Sequence, residues 1–152
     1  MAGGGFEEAR LRERIAALGL DPWVRLTGKV GPAQRLELLR DCRFVCVPSR
    51  EETFGMVILE ACAAAKPALV FDKWPMNEVA AAGACEKVPA FDVQAYAQAM
   101  RVLLAEDART MAARGAACRA WAEHFRWDAI AAQQEAFYED VVQRNARKAG
   151  AA

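Results

Sequence analysis

Two short apolar runs, separated by a helical segment, most constrain how this chain can fold. Residues 43–49, "RFVCVPS", and residues 67–72, "PALVFD", are nearly continuous in apolar side chains. Such runs are typical of strands that are buried on both faces in a parallel sheet. Residues 54–65, which lie between them, read as a helix. Because parallel strands need a crossover of this kind, the pattern predicts a β-α-β unit and an α/β fold.

The remaining segments extend the same pattern over the whole chain. Further short strands are predicted at residues 23–28 and 85–90. Further helices are predicted at residues 6–20, 31–42, 76–83, 92–107, 108–125 and 127–148. A chain of 152 residues is of ordinary size for one domain, and no linker interrupts it. We therefore expect residues 1–152 to form one domain, a parallel sheet flanked by helices with a helical C-terminal segment.

Composition narrows the classes of function. Twenty basic and twenty acidic residues cancel, so no field of one sign favours DNA, RNA or an anionic membrane. No apolar run approaches the roughly 18 residues of a membrane span. The N-terminus also lacks the apolar region of a signal peptide. We expect a cytoplasmic protein without a nucleic-acid partner.

The cysteines and the single histidine indicate neither a metal site nor a catalytic triad. The five cysteines are odd in number and dispersed, and no Cys or His pair follows Cys42 and Cys46 at zinc-site spacing. Reduced thiols that serve as small apolar side chains are expected. His124 lies in "WAEHFRW", which reads as the end of an amphipathic helix.

Three loops follow predicted strands, at residues 28–31, 49–55 and 72–77. Ligands of parallel sheets bind at the carboxyl ends of strands, where loops lead into helix N-termini. We therefore expect the three loops to cluster along one edge. The second loop has the strongest signal, because the first free helical N–H groups, with the helix dipole, predict a phosphate or diphosphate site. These groups belong to Gly55, Met56 and Val57.

Two glutamates bracket the start of this helix. Glu60 lies in a run that is otherwise apolar or small, where an ionised carboxylate needs a partner, and it could accept both hydroxyls of a ribose. Glu52, in the loop, could hold a polar group beyond the phosphates. The pattern alone leaves another interpretation open: Glu60 on a solvent-facing stripe, and Glu52 an acidic residue that favours the helix dipole.

The stretch "PSREETFGMVILEACAAAKPALV", residues 48–70, resembles the signature of the group 1 (family 4) retaining glycosyltransferases. Its core, Glu-x7-Glu, is matched by Glu52 and Glu60, and "TFG" and "EACAAAKP" match the surrounding pattern. The likeness extends along nearly the whole chain. It implies the Rossmann-like C-terminal half of a GT-B fold, truncated at its N-terminal side, which binds a nucleotide-diphosphate sugar and serves transfer of a hexosyl unit.

The resemblance also implies roles for individual residues. Glu60 would bind the ribose hydroxyls, and Glu52 would be catalytic, in contact with the donor sugar. The backbone N–H groups facing the sugar and diphosphate would be those of Phe54, Gly55, Met56 and Val57. The loop that touches the base would be formed by Gly28, Lys29 and Val30. No metal or other cofactor is implied, and the donor would be a UDP-, GDP- or ADP-linked sugar.

The chain departs from the family pattern in several places. Ala65 stands where the family has a glycine, and Lys73-Trp74-Pro75 replaces a glycine-rich loop. The family's diphosphate-binding Arg and Lys would lie upstream of this sequence, so Arg50 and Lys73 are candidate substitutes. The acceptor half is expected on the rest of a longer chain or on another subunit. That half would carry any peripheral contact with the inner face of the membrane, and without it we expect little transfer.

Two other functions compete with this hypothesis. One is a non-catalytic module that docks to a partner or forms a homodimer through an exposed sheet edge. The other is a dinucleotide-binding dehydrogenase. The segment "GGGFEE" is an incomplete Gly-x-Gly-x-x-Gly motif without a preceding strand, which disfavours the dehydrogenase.

Overall fold

The polypeptide divides between Asp41 and Cys42 into two units, and the computed structural model describes residues 1–149. The first unit contains helices α1 (Glu8–Ala17) and α2 (Pro32–Asp41). Pro32 occupies the first helical position predicted for it, where its missing N–H costs nothing. The single-domain organisation of residues 1–152 stays a prediction.

The strand predicted at residues 23–28 is wrong. Trp23 lies in a turn and is 84% exposed, and residues 24–27 have no regular structure. Gly28 forms an isolated antiparallel bridge with Gly3, in which Gly3 N donates to Gly28 O at 2.8 Å. A strand needs a ladder of hydrogen bonds to a neighbour. Here the N–H groups of Trp23 and Val24 donate instead to the Leu20 carbonyl, and Thr27 N donates to the Met1 carbonyl.

Three parallel strands in the second unit form the sheet that the apolar runs predict. They are β1 (Val45–Val47), β2 (Ala68–Asp72) and β3 (Glu86–Pro89), in the spatial order β1-β2-β3. The α/β fold with a parallel sheet flanked by helices is therefore confirmed. Sequential order with parallel pairing requires that each connection cross one face of the sheet.

The central strand β2 is the most deeply buried part of the sheet. Ala68, Leu69 and Val70 are fully enclosed. Tyr96 packs beside this strand, and its hydroxyl donates to the Leu69 carbonyl at 2.7 Å. Burial raises the pKa of the Tyr96 phenol well above its ordinary value, which keeps it a donor. A strand enclosed on both faces explains why its sequence is a continuous apolar run.

Two helices make the crossovers between these strands. The first, α3 (Met56–Ala63), joins β1 to β2, and the second, α4 (Met76–Val79), joins β2 to β3. The second is half as long as the prediction over residues 76–83, because Ala80 takes an extended backbone with ψ 121° and ends it.

The C-terminal third is helical, as predicted. It comprises α5 (Val93–Ala105), α6 (Ala108–Ala122), a 3-10 turn (Glu123–Phe125) and α7 (Trp127–Ala149). Asp92 and Asp107 cap α5 and α6, since their carboxylates accept from the N–H groups of Ala95 at 2.9 Å and Thr110 at 2.7 Å. Within residues 1–149, no helix is both long enough and apolar enough to cross a membrane.

The end of α3 makes a close contact with α6. A Cβ on Gly115 would lie 2.5 Å from the Ala65 carbonyl oxygen, so only glycine allows this approach. Arg119 Nη1 also donates to the Ala63 carbonyl at 2.8 Å. Ala65 itself has φ +57°, in the left-handed region that disfavours residues with a Cβ. The family pattern has glycine at this position, and the backbone shows why.

Replacing Ala65 by glycine should stabilise the protein. Removing the Cβ relieves the backbone strain at this left-handed position, whereas the greater chain entropy of glycine in the unfolded state offsets part of that gain. The net effect should raise the free energy of unfolding by about 0.5–1 kcal/mol. Urea denaturation measures this change. Ala113→Gly, at an exposed position within α6, is the matched control and should lower the free energy of unfolding by about 0.8–1 kcal/mol. Equal losses in both variants would contradict the strain at Ala65.

Candidate functional site

The start of α3 is shaped by Gly55. This residue is buried and has φ +100°, and a Cβ placed on it would lie 3.0 Å from Ile58 Cδ1. Both the backbone conformation and the available space therefore require glycine. Its carbonyl accepts from the N–H of Ile58 at 2.8 Å, which opens the helix.

The N-terminus of α3 carries no side-chain cap. Its first N–H groups, including those of Met56 and Val57, precede the first intrahelical bond and so have no helical acceptor. In α5 and α6, by contrast, the carboxylates of Asp92 and Asp107 accept from N–H groups of the first turn. A glycine at the start of α3 leaves the donors and the positive end of the dipole available to an external anion.

Glu60 lies on the outward side of α3. The helix is buried on one face only, by Ile58, Leu59, Ala61 and Cys62. Met56 and Val57, on the other side, are 57% and 38% exposed, and Glu60 is half-buried. Glu60 is four positions after Met56, so the two lie on one stripe about 6 Å apart along the axis. The helix therefore has one buried face and an exposed side that carries Met56 and Val57, although its sequence is almost entirely apolar.

Glu52 lies beside the first turn of α3. Its Cγ is 3.8 Å from the position that a Cβ on Gly55 would take. One carboxylate oxygen, Oε1, accepts from the N–H of Thr53 at 3.1 Å, and the side chain is half-buried. A local hydrogen bond of this kind limits the rotamers of Glu52 and places its carboxyl group near the opening of the helix.

Phe54 anchors the same loop from its other side. Its ring meets that of Phe125 edge-on, with centroids 6.3 Å apart. Phe125 in turn packs on Trp121, whose Nε1–H donates to the Val79 carbonyl at 2.9 Å. The loop at 49–55 is thereby held against the helical C-terminal segment.

Lys73 joins two of the loops that the sequence analysis singled out. Its Nζ donates to the Arg50 carbonyl, so the loops after β1 and β2 meet. The same ammonium lies 5.2 Å from the centre of the Phe91 ring. Sequence reasoning proposed Lys73 as a diphosphate ligand but gave no signal for this link, since the acceptor is a main-chain oxygen.

Asn77, at the end of the loop after β2, is a polar group that sequence reasoning gave no role. Its carbonyl oxygen accepts from Lys87 Nζ at 2.5 Å. Its side-chain Oδ1 is buried and, within residues 1–149, has no hydrogen-bond partner. A buried acceptor without a donor is costly, so this side chain is a locally unfavourable feature at the end of the loop.

Gly28, Lys29 and Val30 belong to the first unit. Gly28 has φ +66° and takes part in the bridge to Gly3. Lys29 Cγ would be 3.4 Å from a Cβ on Gly4, so its stem packs beside the N-terminal residues. The base-binding role of these three residues stays a prediction.

The sequence matches a family model described as "Glycosyl transferases group 1" over residues 1–145. D-inositol 3-phosphate glycosyltransferase of Kineococcus radiotolerans is 33% identical over 93% of this chain and 34% of its own length. Phosphatidyl-myo-inositol mannosyltransferase of Mycobacterium leprae is 32% identical over 91% of this chain and 37% of its length. The chain thus spans about a third of these relatives.

Solved structures share the fold. Sucrose-phosphate synthase of Thermosynechococcus elongatus superimposes with a TM-score of 0.78 and 25% identity, over 92% of this chain and 35% of that one. Anabaena HepE, solved with UDP and glucose, gives 0.73 and 23% identity over 93% and 39% of the two chains. The sheet with its helices corresponds to the Rossmann-like half of such enzymes. On the match over residues 1–145, this chain belongs to the group 1 glycosyl transferase family.

Proposed function

We propose that this chain is the donor-binding part of a retaining glycosyltransferase of family 4. It would bind a nucleotide-diphosphate sugar and serve the transfer of a hexosyl unit to a glycan, a lipid or a small molecule. The observation that carries the proposal is the uncapped start of α3, opened by Gly55. Glu52 lies beside that opening, and Glu60 lies one turn further along its accessible side.

The diphosphate would lie at the N-terminus of α3. Backbone N–H groups from Phe54 to Val57 would donate to its oxygens, and the helix dipole adds about 0.3–1 kcal/mol per charge, rising to ~2 when partly buried. No side chain caps this helix terminus, so a diphosphate would not have to displace one from these N–H groups. The same groups stabilise the charge that the leaving diphosphate gains as the glycosidic bond breaks.

Glu60 would hold the ribose. A carboxylate accepts from two adjacent hydroxyls, and charge-assisted bonds of this type contribute about 1.5–3 kcal/mol. Met56 and Val57 beside it supply exposed apolar surface that a nucleoside can cover. Gly28, Lys29 and Val30 would contact the base. HepE was solved with UDP and glucose, which supports a nucleotide-sugar ligand for this fold.

Glu52 would act on the donor sugar. Its Cγ lies 3.8 Å from the position of a Cβ on Gly55, so its carboxylate would be close to a diphosphate bound at the start of α3. There it would orient the sugar hydroxyls and stabilise the positive charge that develops at the anomeric carbon when the bond to phosphate breaks. If the diphosphate leaves and the acceptor attacks on the same face of the sugar, the configuration at the anomeric carbon is retained.

No metal ion or other cofactor is part of the proposal. The charge of the diphosphate is met by the helix terminus, with Arg50 and Lys73 as the nearby basic candidates. Lys73 already donates to the Arg50 carbonyl. A bound phosphate would therefore accept from the Lys73 ammonium together with the Arg50 carbonyl or in place of it.

The acceptor would be bound by the other half of the enzyme, on the rest of a longer chain or on another subunit. Two relatives carry names that specify inositol-containing acceptors, D-inositol 3-phosphate and phosphatidyl-myo-inositol. Transfer by the present residues alone is expected to be slight. The cytoplasmic location, with a peripheral membrane contact through the acceptor half, stays a prediction.

A non-catalytic docking module is the alternative. Its support is the apolar surface of α7, where Trp127 is 88% exposed, and the position of β1 at an edge of the sheet. Such a module would keep the fold and show no nucleotide affinity. Homodimerisation through the sheet edge belongs to this alternative.

Glu60→Ala should weaken nucleotide binding. UDP, GDP and ADP are titrated by calorimetry in the presence of EDTA, and affinity for the preferred nucleotide should fall roughly 10- to 100-fold. The 2′-deoxy form of that nucleotide should bind less well than the ribose form to the native protein, but equally well to the variant.

Glu13→Ala is the matched control, since Glu13 is exposed on α1, and it should bind as the native protein does. Equal affinity of Glu60→Ala and the native chain would refute the assignment of the ribose site. Absence of binding for all three nucleotides would favour the docking module.

The substitution Glu52→Gln should weaken binding of the nucleotide sugar while leaving binding of the nucleoside diphosphate nearly unchanged. The amide can still accept from the N–H of Thr53, so the loop should keep its shape. Affinity for UDP, or whichever nucleoside diphosphate binds, should stay within about twofold, whereas affinity for the matching nucleotide sugar should fall by about tenfold. Calorimetry with both ligands measures the difference. Parallel losses for the two ligands would contradict a sugar-specific role.

A further inference from the structure

Three thiols from distant parts of the sequence meet in the core of the second unit. Cys62 belongs to α3, Cys85 immediately precedes β3, and Cys118 belongs to α6. The Sγ atoms of Cys62 and Cys85 are 3.8 Å apart, as are those of Cys85 and Cys118. All three sulfur atoms lie within 4.8 Å of one another. These three thiols are free and buried, as expected for small apolar side chains, but their spatial clustering was not predicted from the sequence.

Their spacing is close to that of sulfur atoms around one central ion. Two sulfurs bound at about 2.3 Å to a common centre lie about 3.8 Å apart at tetrahedral angles and about 3.4 Å apart in a pyramid with angles of about 95°. A pyramidal ion would therefore draw these sulfurs slightly closer together. Cys85 is the central acceptor of the group, because the N–H of Ala68 also points at its Sγ from 3.4 Å. Hydrogen bonds from Cys118 and then Cys62 lower the pKa of the Cys85 thiol, whereas the pKa values of Cys62 and Cys118 are raised.

The surroundings restrict the charge of any ion bound there, because the cluster is packed among apolar side chains. Arg114, which donates to the carbonyl of Ala84 next to Cys85, is already paired with Glu106 at 2.8 Å and with Glu86 at 3.4 Å. A complex with net charge would be strongly disfavoured in this environment. A monovalent or divalent ion with three thiolates would carry net negative charge, whereas a trivalent ion would be neutral.

The number of ligands points the same way. The cluster holds three sulfur atoms, and no fourth His, Cys, Asp or Glu of the described chain joins it. Structural zinc sites take four protein ligands. Trivalent arsenic and antimony take three sulfur ligands in a pyramid, with a lone pair in the fourth direction.

We propose that Cys62, Cys85 and Cys118 form a binding site for one trivalent thiophilic ion of the arsenite type. Three thiols react with As(OH)3 to form three As–S bonds, and the three thiol protons leave with the three hydroxides as water. No electron is transferred, so the site needs neither oxidant nor reductant. Occupancy links α3, α6 and the segment before β3. The proposal is independent of nucleotide binding.

Entry to the site requires local opening. Cys62 and Cys118 have no exposed surface, and Cys85 is 6% exposed. Binding should therefore be slow and should follow the rate at which α6 separates transiently from α3. Titrations are read after the signal has become constant.

Arsenite titration of the full, reduced chain without oxygen tests the proposal. Native mass spectrometry should show one arsenic per chain with loss of three protons. X-ray absorption of that species should show three sulfur neighbours and no oxygen. At a hundredfold excess over Kd, Tm should rise by about 5 °C or more.

Cys42 and Cys46 supply the matched control, because they are the other two thiols of the chain. The double variant Cys42→Ala, Cys46→Ala should bind arsenite as the native chain does. Cys85→Ala and Cys118→Ala should each weaken binding at least tenfold. Alanine keeps these positions apolar, and circular dichroism verifies the fold.

Three results would overturn the proposal. They are failure of the native chain to bind, arsenic with two sulfur neighbours and one oxygen, and loss of binding in the Cys42, Cys46 double variant. The absorption measurement on the native chain decides the coordination even if a cysteine variant does not fold.

Discussion

The packing of α3 between the parallel sheet and α6 is the contact on which the rest of the second unit depends. One face of α3 is enclosed by β1, β2 and α6, and Ile58 and Cys62 on that face have no exposed surface. The approach to α6 is so close that Gly115 must lack a side chain. Since β1 and β2 are parallel, α3 has to return along the sheet, and its N-terminus therefore lies at the carboxyl end of β1.

This position of α3 brings the residues of the candidate site together, because the loop after β1 leads into its N-terminus and the loop after β2 contacts that loop. The loop after β1 delivers Glu52 and Gly55 to the start of α3, and the loop after β2 meets it through Lys73 and the Arg50 carbonyl. Helices α5 and α6 use aspartate for their first N–H groups, but α3 begins at a glycine. Two loops and one uncapped helix thus bring donors and carboxylates together at one edge, which suits an elongated ligand with a negative middle.

Local patterns predicted the positions of the sheet strands well, and the run at residues 67–72 forms a strand enclosed on both faces. The expectation that residues 43–49 are buried on both faces is wrong, because β1 lies at an edge of the sheet and its Cys46 is exposed. The helices after β3 were also predictable, since Asp92 and Asp107 mark two of their starts. Residues 23–28 failed because alternation of side chains shows only that a strand could form. Whether its N–H and C=O groups find a neighbouring strand depends on the rest of the fold.

The candidate site could also be predicted from the sequence only in part. Glu52, Gly55 and Glu60 could be named as candidates from residue type and spacing, whereas their separate roles were implied only by the resemblance to the glycosyltransferase signature. The exposure of Met56 beside Glu60 could not be predicted, since an apolar helix has no polar side to reveal which residues face outward. The hydrogen bond from Lys73 to the Arg50 carbonyl could not be predicted either, because every residue has a carbonyl and residue type therefore does not identify the acceptor.

The sequence by itself determined the α/β class, the three strands of the parallel sheet, the helix that begins at a glycine between two glutamates, and the likeness to the group 1 glycosyltransferases. These depend on residue type and local spacing, which a linear sequence contains. Only the tertiary structure decided which face of α3 is open, why Ala65 is strained, and that Cys62, Cys85 and Cys118 meet. Each of these follows from contacts between segments far apart in the chain, and such contacts exist only after the sheet and its helices have packed.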